Sequence, residues 1–240
     1  MAEVGYREFP APHHLRDLVE CAWTRDPGGP ARVLPDGCMD LIKMDGTVVV
    51  AGPDTFASVA EGRPEPLAGL RFRPGALPRL IGVPAAELRD GRTPLADVTS
   101  VPRAATLTEL ATVLAADRRT DETAPWPLST LAHVTSRLAA GASVGDIADE
   151  IGRSTRSLQR QCAAIYGYGP AMLRRILRFR LAVAMLRSGM PYARVAAAAG
   201  YADQPHLHRE ARVLSGMSLG QLADGANRST EVPSGSSTVA

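Results

Sequence analysis

The spacing of apolar and polar residues changes character part-way along this 240-residue chain. From Ala31 to Phe72 the apolar residues come in short runs: Ala31–Pro35, Cys38–Met44 and Thr47–Gly52. Asp45-Gly46 stands between the last two runs as a hairpin turn signal, and Pro35-Asp36-Gly37 and Gly52-Pro53-Asp54 mark further turns. Leu67–Gly75 alternates apolar with basic residues, which predicts a half-buried strand. From Pro74 onward the spacing becomes helical. It predicts short helices over 75–81 and 84–88, a longer one over 106–116, and another over 128–140 closed by Gly141. The stretch 118–127 is polar and carries prolines, so it reads as a connecting segment. The Ser-, Thr- and Gly-rich tail from Asp224 predicts disorder.

The C-terminal third carries the most specific pattern, one motif met twice. In Ser143–Gly167, Ser143 is a natural N-cap with Asp146 three residues on in a loose capping-box relation. Val144, Ile147, Ala148 and Ile151 form an apolar stripe, Gly152 ends that helix, and Ser154 starts another. On the second helix Leu158, Cys162 and Ile165 are expected to face inward and Arg156, Gln159 and Arg160 outward. In Pro191–Gly216, Pro191 opens a helix, Gly200 breaks it, and Asp203 caps the next with Pro205 in its first turn. Leu207 and Ala211 are expected inside; Gln204, His206, His208 and Arg209 outside. Between the motifs, 170–188 predicts one helix with an apolar stripe of Met172, Leu173, Ile176, Leu177, Leu181 and Met185. At ~1.5 Å per residue it is about 28 Å long, near the roughly 34 Å of one DNA turn.

Arg pairs bidentately with guanine and Gln with adenine in the major groove, while Ser154, Thr155 and the free N–H groups of a helix start suit phosphate oxygens. A single helix-turn-helix pattern in an Ala/Leu-rich chain is often a plain αα-hairpin; two on a fixed spacer point to DNA. Charge adds a modest second argument. The whole chain carries +2, but residues 1–140 hold 15 basic against 18 acidic residues and residues 141–224 hold 11 against 6, all 11 of them arginine.

This region, about 131–222, resembles the tandem helix-turn-helix domain of the AraC/XylS family of bacterial regulators. The resemblance rests on Ile147-Ala148, Ser154, Leu158-x-Arg160, Gly167, Pro170, Arg180-Leu181, Val195-Ala196, Gly200-Tyr201, Asp203-Gln204, Leu207-x-Arg209 and Gly216. It implies DNA contacts from Ser154, Thr155, Arg156, Gln159, Arg160, Gln204, Pro205, His206, His208 and Arg209. Cys162 and Ala211 replace the aromatic residues usual in each recognition helix, Leu207 a frequent Phe, and Leu219 a common proline. Pro205 has no side-chain donor for a base. The second unit is therefore expected to have the thinner core and the weaker, more backbone-directed contact.

The resemblance also implies an N-terminal sensing or dimerising domain, here a compact, cupin-like β-barrel variant containing Leu34–Ile42 and Leu70–Ala76. The expected fold is α+β: a β-rich domain with short helices (1–118), a linker (119–127), an all-α tandem helix-turn-helix domain (128–223) and the tail (224–240). Asp36, Cys38, Asp40, Arg71 and Arg73 are the candidate effector residues; their plainer reading is a buried ion pair of Asp40 with Arg71 or Arg73 and a turn capped by Asp36. Trp23 and Cys162 read as core residues.

Hydrophobic content of 45% supports a packed core. Cys21, Cys38 and Cys162, odd in number and far apart, fit a reducing cytoplasm, and the N-terminus lacks a secretion signal pattern. No apolar run is long enough for a membrane span. His13-His14 and His206-x-His208 have unsuitable spacing for chelation, and no metal or cofactor is expected. G-x-S-x-G, H-E-x-x-H, P-loop and G-x-G-x-x-G patterns are missing, so an enzyme with a helical accessory domain is the weaker alternative. Three scattered cysteines also fail to supply the zinc cluster of a repair methyltransferase fused to such a domain. The expected partners are double-stranded DNA, a small effector, a second copy of the chain and, for an activator, RNA polymerase. The other alternative is a ligand-independent architectural DNA binder.

Overall fold

The computed structural model describes residues 5–116 and 122–224, together with the backbone of 231–232. The rest of the expected tail and residues 117–121 of the connecting region lie outside the described residues. The N-terminal half contains strands β1 (Tyr6–Pro10), β2 (Val19–Arg25), β3 (Ala31–Val33), β4 (Met39–Met44), β5 (Thr47–Ala51), β6 (Ser58–Ala60), β7 (Leu67–Phe72) and β8 (Arg92–Pro94). Helices α1 (Pro78–Ile81), α2 (Leu95–Val98) and α3 (Leu107–Ala116) and a 3-10 turn at Ala85–Glu87 complete it. Six strands pair antiparallel in the order β1-β2-β7-β4-β5-β8. A smaller sheet joins β3 to β6 and, in parallel, to β9 (Glu231–Val232).

Strands β1 and β2 were not evident from the apolar runs, and β7 is more enclosed than its alternation implied. It lies between β2 and β4, and Leu70, Arg71 and Phe72 are all buried. The period of two still sorts its side chains. Leu70 and Phe72 join Leu41 and Val50 in a core with the short helices. Arg71 lies on the opposite face, where Asp40, Ile42 and Trp23 also stand around a cavity. A register shift between Val19 and Cys21 resets the face presented by β2. Gly69 is required by that geometry, because a Cβ there would lie 2.3 Å from the Trp23 indole.

The C-terminal half is all helix among its described residues up to 224: α4 (Leu128–Ala139), α5 (Val144–Glu150), α6 (Thr155–Tyr166), α7 (Pro170–Arg187), α8 (Tyr192–Ala198), α9 (Gln204–Ser215) and α10 (Leu219–Ala223). The caps fall where the local chemistry puts them. Ser143 Oγ accepts from Asp146 N, Ser154 Oγ from Ser157 N and Asp203 Oδ1 from His206 N. Gly152 and Gly200 follow α5 and α8 in left-handed conformations.

Helix α7 differs from its one-stripe expectation. Leu181 is 40% exposed, whereas Phe179, Ala182, Val183 and Leu186 are buried. The reason is that α7 serves two cores. Leu173, Ile176 and Leu177 pack with α4, α5 and α6, and the four residues further on pack with α8, α9 and α10. A helix enclosed on two sides has no single apolar face.

The two halves are closely joined. Gly75 adopts φ +76°, and a Cβ there would lie 2.4 Å from Ile165 and 2.9 Å from Leu131 and Tyr166. Arg79 donates to Trp126 O (3.0 Å) and Arg89 to Gly167 O (3.3 Å). On the other unit, Ala57 N donates to Leu214 O (2.7 Å) and Arg32 to Ser215 O (3.0 Å).

Candidate nucleic-acid interface and effector cavity

Helices α5–α6 and α8–α9 form two helix-turn-helix units around α7. The N-terminal half holds the C-terminal ends of the second helices, at Gly167 for α6 and Leu214–Ser215 for α9. Their first turns stay exposed. Ser154, Thr155, Arg156, Gln159 and Arg160 are all exposed, so the five predicted residues of the first unit share one open surface. Arg160 also lines a groove with Glu87 and Glu122.

The second unit presents fewer uncommitted side chains. Gln204, Pro205 and Arg209 are exposed. His206 and His208 are half-buried. His206 packs edge-on to Tyr201 at 5.2 Å and accepts from Ala202 N at 3.4 Å; His208 packs against Tyr192 at 6.2 Å. Glu210 is buried and paired with Arg175 through Oε1 (2.7 Å) and Oε2 (3.2 Å), with Arg178 3.8 Å from Oε1. The Arg178 guanidinium also lies 4.2 Å over the Tyr201 ring. Three of the eleven arginines of 141–224 are thus paired within the fold: Arg175 and Arg178 link α7 to the second unit and Arg180 turns to the N-terminal sheet.

On that sheet a cavity of about 90 Å³ opens between the two sheets, with apolar walls that include Leu34 and Ile42. Asp36, Cys38, Asp40 and Arg71, four of the five candidate effector residues, line it together. Arg73 does not join them. Strand β7 ends at Phe72, and Arg73 is exposed, with its Nε donating to Arg16 O at 2.8 Å. Asp36 Oδ1 accepts from Cys38 N (2.8 Å), the turn cap read from the sequence. Arg71 is 3% exposed and lies 3.2 Å from Glu8, 3.5 Å from Asp36 and 3.4 Å from Asp40. Asp40 Oδ2 accepts from Trp23 Nε1 (3.0 Å). Burial raises the Asp40 carboxyl to about 6 despite the Arg71 guanidinium beside it. Burial also raises the Cys38 thiol, with the Asp36 carboxylate adding to it, so the thiolate is disfavoured.

Several wall residues carried no separate sequence signal. Arg92 binds Asp54 through both nitrogens (3.1 and 2.8 Å), and both line the cavity. Arg180 pairs with Glu20 and donates to Cys38 Sγ (3.6 Å), so a residue of α7 touches the cavity wall. Only the three-dimensional pairing of α7 with β2 reveals that link.

Two helix-turn-helix units on a shared helix, each with its recognition helix exposed at the first turn, define a DNA-binding transcription regulator. Residues 131–224 match the family described as "Helix-turn-helix domain". Residues 7–94 match a domain of unknown function, DUF6597. No curated protein matches the chain in sequence. Among solved structures it is similar to ToxT from Vibrio cholerae, at 9% identity over 91% of this chain and 98% of that one, with a TM-score of 0.45. A second structure, ToxT from Vibrio cholerae O395, is 11% identical over 80% and 87%, with a TM-score of 0.38. Among the described residues no helix is long and apolar enough to cross a membrane.

Proposed function

We propose that this regulator binds specific duplex sites through both recognition helices and that its β-rich half controls it, by a small effector or by pairing two copies. The observation that carries the reading is the open first turn of α6. Arg156, Gln159 and Arg160 stand there exposed beside Ser154 and Thr155, on a helix whose far end is fixed to the other half. Arg and Gln supply base-edge recognition, and Ser154, Thr155 and the free N–H groups of the helix start take phosphate. Gln204, Pro205, His206, His208 and Arg209 form the second contact, which leans on the backbone because both histidines are engaged within the fold. The protein works in the cytoplasm, with RNA polymerase as partner at any promoter it activates.

Selection from random duplexes tests this. The full chain is expected to enrich one defined sequence, with affinity falling steeply as salt rises. Enrichment of no sequence would contradict specific readout and favour an architectural binder.

A further inference from the structure

Each recognition helix carries an exposed arginine in the motif Leu-x-Arg, Arg160 on α6 and Arg209 on α9, and each is followed by a polar residue that turns inward. After Arg160 comes Gln161, half-buried, whose Oε1 accepts from Trp126 Nε1 at 3.1 Å. After Arg209 comes Glu210, 8% exposed. Its two oxygens take Nε and Nη2 of one guanidinium, Arg175 of α7, at 2.7 and 3.2 Å. Arg178, one turn further along α7, stands 3.8 Å from the same carboxylate and donates to Gly200 O (3.3 Å) in the turn that leads into α9. One charged cluster thus gathers α7, α9 and the turn of the second unit.

Apolar packing alone holds α9 loosely in rotation. Its apolar core residues are Leu207, Ala211 and Leu214, and Ala211 offers only a methyl group. Burial of apolar surface is non-directional. A bidentate carboxylate–guanidinium fork is directional and is satisfied at one rotation of the helix. A buried ion pair adds little net stability over an apolar residue of similar size, because desolvation offsets the attraction; what it contributes is a defined register. Successive residues of a helix stand about 100° apart. Fixing the rotation at Glu210 therefore fixes the direction in which Arg209 leaves the helix.

We propose that Glu210 is a positioning residue for DNA binding: its fork with Arg175 sets the rotation of α9 and so aims Arg209 at the duplex backbone. The proposal rests on the reading of α9 as the second DNA contact. Gln161 holds the matching place in the first unit, tied to the Trp126 indole instead of to α7. The sign of the effect separates aim from charge. Glu210→Gln removes a negative charge from the DNA-binding half, which by electrostatics alone strengthens attraction to DNA. Loss of aim weakens it.

The test is gel-shift titration of the full chain, with the duplex pool that the wild type retains after selection as the probe. Glu210→Gln is expected to raise Kd about tenfold and to make the salt dependence of log Kd shallower by about one, with circular dichroism unchanged. Glu210→Asp, which keeps the charge on a shorter stem, is expected to fall between. In an Arg209→Ala background, Glu210→Gln is expected to cost less than about twofold more. A wild-type or lower Kd in Glu210→Gln, or an equally large further loss in the Arg209→Ala background, would overturn the proposal. Where Glu210→Gln fails to fold, Glu210→Asp decides: weakening by about threefold or more supports the aiming role, and a wild-type Kd refutes it. Arg209→Ala alone separates the two readings. If it leaves Kd unchanged, α9 is not the second contact and the positioning role goes with it. If it weakens binding while Glu210→Gln does not, only the positioning role fails.

Discussion

The two helix-turn-helix units share a plan but not a core. The first is built from its own stretch of chain: Trp126, Leu131, Ile147, Leu158, Cys162 and Tyr166 pack with the first half of α7, and every residue of that cluster lies at or beyond Trp126. The second encloses Leu34 of the β-rich half, 2% exposed, among Phe179, Leu207, Ala211 and Leu214, with Ala57 packed against it. The small Ala211 of its recognition helix thus shares a core with a leucine from a distant segment. Leu34 also lines the cavity. The difference shows how one domain can hold two helix-turn-helix units differently: backbone closely fitted against the first, a side chain plugged into the second.

Breaking that plug is the largest expected effect. Leu34→Ala removes a fully enclosed side chain and is expected to cost about 2–5 kcal/mol of stability in urea unfolding. A loss below about 1 kcal/mol would mean that the second core closes without it.

The readout contrast comes next. Arg160→Ala is expected to cost about 1–3 kcal/mol of DNA affinity and to relax preference at one base position. Arg209→Ala is expected to weaken binding less, and evenly across sequences. Gel-shift series on matched and single-mismatch duplexes measure both; a base-specific loss from Arg209→Ala would make the two units equal readers.

Tyr168→Phe sharpens the comparison from the first unit's side. Its hydroxyl is buried and has no hydrogen-bond partner among the described residues, so its removal is expected to raise stability by about 1 kcal/mol in thermal unfolding. A drop in stability would show that the hydroxyl is already satisfied.

A pH dependence probes the β-rich half itself. The Asp40 carboxyl titrates near 6 in the folded chain and near ~3.9 unfolded. The folded state therefore binds the proton more tightly, and this group's contribution falls as pH rises from about 4 to 6. The stability of the wild type relative to Asp40→Asn should decline across that window; a parallel pair of pH profiles would contradict the burial of Asp40.

Much of the DNA-binding half was legible because its signals are local. Ser143, Ser154 and Asp203 cap the helices that follow them, and Gly152 and Gly200 punctuate them, within one turn of the residues they act on. The apolar face of α7 was misread at Leu181 because periodicity identifies one face and this helix has two neighbours. In the β-rich half, Asp36, Cys38, Asp40 and Arg71 were legible as a group of chemical types, but Arg73 was separated from them by the end of β7. Glu8, Glu20, Asp54, Arg92 and Arg180 join the site only through long-range pairing of strands and of α7.

The dependence of the second unit on the β-rich half is tested most directly by amide hydrogen exchange on Leu34→Ala beside the wild type. The account predicts lost protection in α8, α9 and α10 while α4, α5 and α6 keep theirs. Equal loss in both units, or no loss in either, would contradict it.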